Sequence, residues 1–270
     1  MRPIETLDRS AGRSAFGADP ANYHAARPRY PEAAWTVLRQ RANLRHGVDI
    51  LEIGPGTGIA TSELLVHQPR RVVAVEPDRR LADFLKRNSG QAPLEVLAQP
   101  FEQVDLAGST FDLAISATAF HWLDAVPALL KIRDLLRSDG VVALMWNVFG
   151  SETRSDPFHE ATQHLFADKK ASISSAGATR REHALDSAAR LKDFATAGFH
   201  ADKPYFVEWS LALRPAKLRR LYATFSNVSV LPEPERERVL AELEAIAARQ
   251  FGGEVIRNMT TAIYTARQDR

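Results

Sequence analysis

From residue 48 to residue 146, short apolar runs rich in β-branched residues alternate with stretches whose apolar positions recur at helical spacing. The short runs predict strands, and the stretches between them predict amphipathic helices. Near-continuous apolar strands separated by helices are typical of a parallel sheet covered on both faces. The predicted strands cover 48–53, 71–75, 94–97, 111–116 and 141–146, and the predicted helices cover 60–66, 79–87 and 125–136.

The alternation changes after Asn147. Strands are predicted again at 205–211 and 259–265, the last one antiparallel beside its predecessor at the sheet edge. We predict an α/β fold over 1–270: a doubly wound, Rossmann-like, seven-stranded and mostly parallel sheet with an antiparallel last strand. Its predicted parts are an N-terminal helical segment (1–45), a ligand-binding half (46–149), two helical insertions (150–187 and 214–253) and the remaining sheet and helix (188–213 and 254–270).

Composition narrows the class of protein. Of the 270 residues 45% are apolar, which suffices for a large core, yet no apolar run is long enough to span a membrane. The first residues lack the apolar stretch of a signal peptide, so we expect a cytoplasmic location and no membrane partner. The absence of cysteine excludes disulfides, thiolate nucleophiles and cysteine-ligated metals.

The distribution of charge argues against a nucleic-acid partner, and the spacing of two histidines argues against a metal site. The 35 Lys and Arg nearly balance the 33 Asp and Glu, and basic pairs such as Arg79-Arg80 are scattered along the chain. Scattered pairs indicate a solvated surface, so nucleic acid is not the expected partner. His159 and His164 are five residues apart and do not share a helical face, so we expect no metal site there.

A glycine-rich turn, Glu52-Ile-Gly54-Pro-Gly56-Thr57-Gly58, follows the first predicted strand. Glycines let the backbone approach a ligand closely, and the N–H groups of the following helix point at it. Glu76 ends the second strand, where an acidic side chain of a doubly wound sheet can accept hydrogen bonds from both ribose hydroxyls. Together the two features predict a nucleoside-containing cofactor.

The spacing of this turn argues against a nicotinamide dinucleotide. That fingerprint is G-x-G-x-x-G, whereas the third glycine here is Gly58 and position 59 is isoleucine. Glu52 lies directly before the turn, where a carboxylate disfavours a pyrophosphate and favours a ligand that carries positive charge.

Three segments resemble the successive signature motifs of class I methyltransferases: Leu51-Glu-Ile-Gly-Pro-Gly-Thr-Gly58, Val73-Ala-Val-Glu-Pro-Asp78 and Phe111-Asp-Leu-Ala-Ile-Ser116. The segments 23–31 and 116–124 are similar to a bacterial subgroup of type 11, trans-aconitate methyltransferase-like proteins. The resemblance implies S-adenosylmethionine as cofactor, S-adenosylhomocysteine as product, and no metal.

The resemblance also implies cofactor contacts. It places the methionine part of the cofactor on the glycine turn and the adenine beside the residue after strand three, Phe101. Many relatives carry an Asp-Ala pair there, where this chain has Pro100-Phe101-Glu102. The N-terminal segment is expected to fold over the cofactor, and Arg27 is a candidate for its carboxylate. The cofactor-binding prediction comprises Tyr23, Arg27, Glu52, Gly54, Gly56, Thr57, Gly58, Glu76, Pro77, Phe101 and Ser116.

Residues on the acceptor side have two interpretations each. His121 follows the fourth strand at the ligand-binding edge, so it could accept a proton from the acceptor, hydrogen-bond it, or serve as a structural histidine. Trp122 is either a packing residue or a wall of the methyl pocket. Substrate contact is also predicted for Trp146 and Ser226, with Trp209, Phe225 and Ser229 as core residues or pocket lining.

Three functions follow from these motifs. The first is methyl transfer to a small-molecule acceptor, with the two insertions as a lid; the second is a methyltransferase acting on RNA or protein. The third is a non-catalytic or nicotinamide-binding protein with the same sheet. We expect a monomer or a homodimer.

Overall fold

The computed structural model describes residues 15–151, 153–167, 169 and 182–268. By compactness the chain divides into two units, each described by itself below. The sheet unit comprises Arg29–Asn147, Ala184–Val207 and Thr261–Arg270, and the helical unit comprises Met1–Pro28, Val148–His183 and Glu208–Thr260. Parts of the predicted segments 1–45 and 150–187, namely 1–14, 152, 168 and 170–181, lie outside the described residues. The prediction of a single domain stays a prediction.

The strands form one sheet with the order β3-β2-β1-β4-β5-β8-β6, and β7 pairs with β8. Neighbouring strands from β3 to β5 are parallel, and β8 is antiparallel to β6. This confirms the predicted doubly wound, mostly parallel α/β fold. The strands are β1 Asp49–Ile53, β2 Arg71–Val75, β3 Leu94–Leu97, β4 Phe111–Ala117, β5 Leu136–Phe149, β6 Phe199–Ala201, β7 Tyr205–Leu213 and β8 Val255–Gln268.

Two details of the sheet correct the prediction. The sheet has eight strands rather than seven, because β6 adds a strand that the sequence pattern did not reveal. Three residues are too few to show alternation with period two. The last strand lies between β5 and β6 rather than at the edge, although it pairs with its predecessor β7 as expected.

The helices follow the predicted positions closely. Asp78 begins α4 by accepting a hydrogen bond from the Arg80 N–H at 2.9 Å, and Gly198 follows the end of α7 with φ +76°. Among the described helices none is long and apolar enough to cross a membrane. The helices are α1 Pro20–Ala26, α2 Glu32–Arg41, α3 Ile59–Val66, α4 Arg79–Asn88, α5 Ala125–Leu135, α6 Pro157–Thr162, α7 Ser187–Thr196, α8 Pro215–Ala223, α9 Ser226–Ser229 and α10 Glu233–Gln250.

Each unit has its own hydrophobic core. In the sheet unit, α2 and α3 pack on the central strands, with fully buried contributions from residues such as Leu38, Ile50, Leu64 and Leu113. In the helical unit, the long helix α10 packs on α8 through residues such as Leu218, Leu221 and Leu243. Burial of such a side chain stabilises the fold by about 1.5–3 kcal/mol, so these apolar contacts are the main source of stability in each unit.

An ionic cluster lies at the amino ends of the central strands. Asp49, the first residue of β1, is buried and accepts hydrogen bonds from Arg70 and, at 2.8 Å, from Arg137. The hydrogen bond from Arg70 is the main reason that the pKa of Asp49 falls to about 2, against the opposing effect of burial. Asp112, near the start of β4, accepts a hydrogen bond from the Asp49 N–H at 2.7 Å and forms an ion pair with Arg137 at 2.6 Å. The cluster joins β1, β4 and β5 at the end opposite to the glycine turn.

Candidate cofactor and active site

The glycine turn connects the carboxyl end of β1 to α3 in the sheet unit. Gly54, Gly56 and Gly58 all have positive φ, between +59° and +90°. A methyl group on Gly54 would come within 2.4 Å of the Ala119 side chain, and one on Gly58 within 2.5 Å of Leu85. The turn therefore requires glycine both for its backbone conformation and for its close approach to neighbouring elements.

Glu52 is fully buried just before this turn. Its Oε2 accepts a hydrogen bond from Thr61 Oγ1 at 2.7 Å, and its Oε1 has no hydrogen-bond partner among the described residues. Burial, together with the nearby charge of Glu76 and against the Thr61 hydrogen bond, raises the pKa of Glu52 to about 7. A buried carboxyl oxygen without a partner is costly unless a ligand supplies a donor.

Glu76 lies directly after β2 and bonds to the glycine turn. One carboxylate oxygen accepts from the Gly56 N–H at 2.9 Å, and the other accepts from the Asp78 N–H at 3.0 Å. The Gly54 N–H in turn donates to Val75 O at 2.9 Å. The ends of β1 and β2 are thus held together, with two carboxyl groups beside one turn.

A lysine of α5 donates hydrogen bonds to the loop after β3. Lys131 Nζ donates to Phe101 O at 2.7 Å and to Val104 O at 2.6 Å, and it lies 5.1 Å from the centre of the Phe101 ring. Burial lowers the pKa of Lys131. Lys131 could not be recognised from the sequence, because an ordinary amphipathic helix also carries lysines.

The other predicted cofactor residues of the sheet unit lie around the same strand ends. Ser116 is fully buried and donates to Ile53 O at 2.9 Å, which ties β4 to the start of the glycine turn. Thr57 is buried within the turn, and Pro77 is half-buried after Glu76. The structure brings these three residues together with Glu52 and Glu76 around the same strand ends, and their role in cofactor binding stays a prediction.

The segment that follows β4 has an unusual backbone. Thr118 has φ +56°, a conformation that β-branched residues rarely adopt and that costs about 1–3 kcal/mol. Its N–H donates to Met145 O at 2.7 Å, and its hydroxyl bonds to the Tyr30 hydroxyl at 2.5 Å. The next residue, Ala119, contacts Gly54. This strained turn therefore positions the residues after it against the glycine turn, and no sequence pattern indicates the strain.

His121 lies in a short 3-10 turn, Phe120–Trp122, and is buried. Its Nδ1 accepts a hydrogen bond from Trp146 Nε1 at 3.2 Å, and its ring lies 4.9 Å from that of Trp122. Trp146 is 1% exposed and packs edge-on against Tyr264. Trp146 was predicted as a substrate contact, and the structure places it inside the core with its indole N–H bound to His121.

Three predicted site residues belong to the helical unit. The Arg27 guanidinium donates to Thr224 O at 2.8 Å and lies about 5 Å from the rings of Tyr23 and Phe225. Ser226 is buried at the start of α9. The structure shows no carboxylate partner for Arg27 among the described residues, so its predicted role stays a prediction.

No group of acidic and histidine side chains suited to a metal ion occurs in the described part of the chain. The sheet-unit site instead fits a cofactor that carries an ammonium group and a ribose. Glu52 Oε1, which has no hydrogen-bond partner among the described residues, is an acceptor for a cation, and a carboxylate at the end of β2, such as Glu76, suits a diol.

Residues 51–144 match the family model described as "Methyltransferase domain". An uncharacterized methyltransferase of Schizosaccharomyces pombe is 27% identical over 93% of this chain and 96% of its own length. A malonyl-[acyl-carrier protein] O-methyltransferase of Acetivibrio thermocellus is 27% identical over 56% of this chain and 53% of its own length. Among solved structures, a proposed type II methyltransferase of Anaeromyxobacter dehalogenans is 24% identical, with a TM-score of 0.63 over 90% of this chain and 97% of that chain.

Proposed function

We propose that this chain, an S-adenosylmethionine-dependent methyltransferase, transfers the methyl group to a small-molecule acceptor, with a carboxyl oxygen as the first choice and hydroxyl or amine acceptors next. The observation that carries the cofactor assignment is Glu52, because its buried Oε1 has no hydrogen-bond partner in the described part of the chain and lies beside a turn that requires glycine. The product of the reaction is S-adenosylhomocysteine together with the methylated acceptor.

When bound, S-adenosylmethionine supplies an already activated methyl group on a sulfonium. The task of the chain is then to orient the two reactants, which contributes up to about 7–11 kcal/mol in well-aligned systems. We assign Glu52 to the ammonium group, Glu76 and Pro77 to the ribose, and Phe101 to one face of the adenine. Gly54, Gly56, Thr57 and Gly58 would line the methionine portion, and Ser116 would keep the end of β1 in place.

A small-molecule acceptor is supported by the surroundings of His121. Phe120, His121 and Trp122 are all buried, and Ala119 contacts Gly54, so this turn lies close to the cofactor-binding backbone. A buried aromatic environment suits a compact acceptor better than a long polymer. The carboxyl group as acceptor is in keeping with the O-methyltransferase relative, whose name specifies malonyl-[acyl-carrier protein].

An acceptor carboxylate needs no base. One of its oxygens forms a bond to the methyl carbon while the carbon–sulfur bond breaks, and the electron pair of that bond stays on sulfur. The negative carboxylate and the positive sulfonium give a neutral ester and a neutral thioether, so no proton is released. A hydroxyl or a protonated amine acceptor would have to lose a proton to a base.

Calorimetry tests the cofactor assignment. Purified protein is titrated with S-adenosylmethionine, S-adenosylhomocysteine and NAD, beside the variants Glu76→Ala and Glu95→Ala. Glu95 is an exposed acid on β3 and serves as the matched control. We expect saturable binding of the first two ligands, at least about tenfold weaker in Glu76→Ala and unchanged in Glu95→Ala. Preference for NAD would overturn the assignment.

A transfer assay with methyl-labelled cofactor then tests the acceptor. Panels of carboxylic acids, phenols and amines are compared with total RNA and with an unrelated protein as acceptors. Incorporation of label into RNA or protein alone would replace the proposed substrate class. The cytoplasmic location, the monomer or homodimer, the absence of a nucleic-acid partner, the lid and the trans-aconitate-like subgroup stay predictions from the sequence.

A further inference from the structure

Lys131 of α5 directs its ammonium group at a single turn, 100–104, in the loop after β3. Its Nζ donates to Phe101 O at 2.7 Å, to Glu102 O at 3.4 Å and to Val104 O at 2.6 Å. An ammonium group has three N–H donors and no acceptor, so three carbonyls match what this side chain can offer. The same Nζ lies 5.1 Å from the centre of the Phe101 ring, which is buried. Lys131 therefore binds both the backbone of the turn and its aromatic side chain.

The turn 100–104 needs donors from outside because it is one helical turn that does not continue. The N–H groups of Gln103 and Val104 both donate to Pro100 O, at 3.0 and 3.1 Å. In a longer helix the next carbonyls would receive N–H groups from residues further along, but the chain leaves the turn at Val104. Lys131 supplies donors in their place, as basic side chains do at helix ends. Without Lys131, carbonyls in a largely buried place would lose these hydrogen bonds.

The end of β3 connects this turn to the carboxylate assigned to the ribose. Leu97, the last residue of β3, accepts at its carbonyl from the Glu76 N–H at 3.0 Å and from the Gln99 N–H at 3.1 Å. Glu76 in turn accepts from the Gly56 N–H of the glycine turn. Ligands of doubly wound sheets bind in the crevice outside the carboxyl ends of the strands. Since β2 lies between β1 and β3, the turn 100–104 borders this crevice on the side of Glu76 away from the glycine turn.

We propose that Lys131 is a positioning residue of the cofactor site, which fixes the turn 100–104 in the conformation that holds the adenosine portion of the cofactor. The inference rests on the proposed function, which assigns Glu76 to the ribose and Phe101 to the adenine. Lys131 acts through the backbone that it binds and is assigned no contact with the cofactor. Its loss should therefore weaken the binding of the adenosine portion and leave the contribution of the methionine portion unchanged.

Calorimetry of the parent chain, Lys131→Met and Lys86→Met tests this role. Methionine keeps most of the length of the lysine side chain and removes its donors, and Lys86 is an exposed lysine of α4 that serves as the matched control. Each protein is titrated with S-adenosylhomocysteine, and adenosine is measured by competition. We expect the Kd values of both ligands to rise about tenfold, by the same factor, in Lys131→Met and to stay unchanged in Lys86→Met.

Two binding results would overturn the proposal. The first is an unchanged Kd for S-adenosylhomocysteine in Lys131→Met. The second is weaker binding of S-adenosylhomocysteine with unchanged binding of adenosine, because the lysine would then act on the methionine portion.

Amide hydrogen exchange of the ligand-free protein tests the turn directly. We expect the amides of Gln103 and Val104 to exchange about tenfold faster in Lys131→Met than in the parent. The amide of Gly54, which donates to Val75 O at 2.9 Å in the glycine turn, should keep its rate. Unchanged exchange at Gln103 and Val104 would overturn the proposal. An equal increase at Gly54 would also overturn it, because Lys131 would then stabilise the fold in general.

The inference and the proposed function can fail separately. A parent chain that binds neither S-adenosylhomocysteine nor adenosine would refute the proposed function, while exchange at the turn would still report on Lys131. A parent chain that binds both ligands, with equal affinity in Lys131→Met, would refute the inference alone. Thermal unfolding and the binding stoichiometry identify any unfolded fraction of Lys131→Met, and the Kd of the folded fraction then decides.

Discussion

Replacement of Gly54 with alanine separates the two reasons for a glycine at this position. At φ +69° an alanine costs about 1–2 kcal/mol relative to glycine. The added methyl group would lie 2.4 Å from the Ala119 side chain, and overpacking of this kind costs about another 1–3 kcal/mol. We expect the free energy of unfolding to fall by about 2–5 kcal/mol in all.

Two further variants isolate each contribution. Gly47 has φ +76° and nothing within 4 Å of an added methyl group, so Gly47→Ala measures the backbone cost alone. The pair Gly54→Ala with Ala119→Gly removes the clash and should recover about 1–3 kcal/mol of the loss. Urea unfolding of the parent chain, Gly54→Ala, Ala119→Gly and the double variant gives the coupling free energy.

The reasoning would be refuted by either of two results. Equal destabilisation by Gly47→Ala and Gly54→Ala would mean that the contact with Ala119 contributes nothing. Failure of Ala119→Gly to restore the stability of Gly54→Ala would mean that Gly54 does not lie against Ala119 in solution.

Three other predictions concern charge and hydrogen bonding. Because the pKa of Glu52 is raised from 4.5 to about 7, the ligand-free protein should lose stability on the order of 3 kcal/mol as the pH rises through this window, and Glu52→Gln should abolish that loss. The pKa of Asp49 is lowered to about 2, so its contribution to the free energy of unfolding is present above pH 3.8 and lost as the pH falls through 2. Because solvent screens the pair with its exposed partner Arg70, we expect Asp49→Asn to cost only about 1–2 kcal/mol at pH 7. Tyr30→Phe removes the hydrogen bond to Thr118 and should cost about 1 kcal/mol and lower kcat more than cofactor affinity.

Matched measurements check each of these. Between pH 5 and pH 8, urea unfolding of Glu52→Gln should show a loss of stability smaller than that of the parent by about 3 kcal/mol, and a pH dependence like that of the parent would contradict the burial argument. Asp83→Asn, at an exposed acid of α4, is the control for Asp49→Asn and should change little. Tyr205→Phe is the control for Tyr30→Phe, and equal kcat values in the two would show that the Thr118 turn does not depend on the hydroxyl.

The sequence predicted most of the fold because its βα units carry strong periodic signals. The apolar runs and the glycine turn identified β1, β2 and β4, and the two acids beside the turn lie together as expected. The three-residue strand β6 gave no such signal, and the position of β8 between β5 and β6 depends on tertiary pairing rather than on local pattern.

The contact between His121 and Trp146 could not be predicted, because it depends on strand register. Ala117 pairs with Met145 across β4 and β5, and this pairing places Trp146 beside the turn that follows β4. Near-continuous apolar strands can slide past each other without exposing a polar residue, so their sequence does not specify register. The hydrogen bond from Arg27 to Thr224 O could not be predicted either, because the two residues are 197 positions apart in the sequence.

The ionic cluster around Asp49 has a consequence for engineering. It joins the strands at their amino ends, while the glycine turn and His121 follow carboxyl ends. Libraries that randomise the loops after β3 and β4 would leave these ion pairs untouched, so the scaffold should tolerate many new acceptor pockets. Substitutions at Asp49, Asp112 or Arg137 would instead lower the free energy of unfolding, and the variants in such libraries need that stability in order to fold.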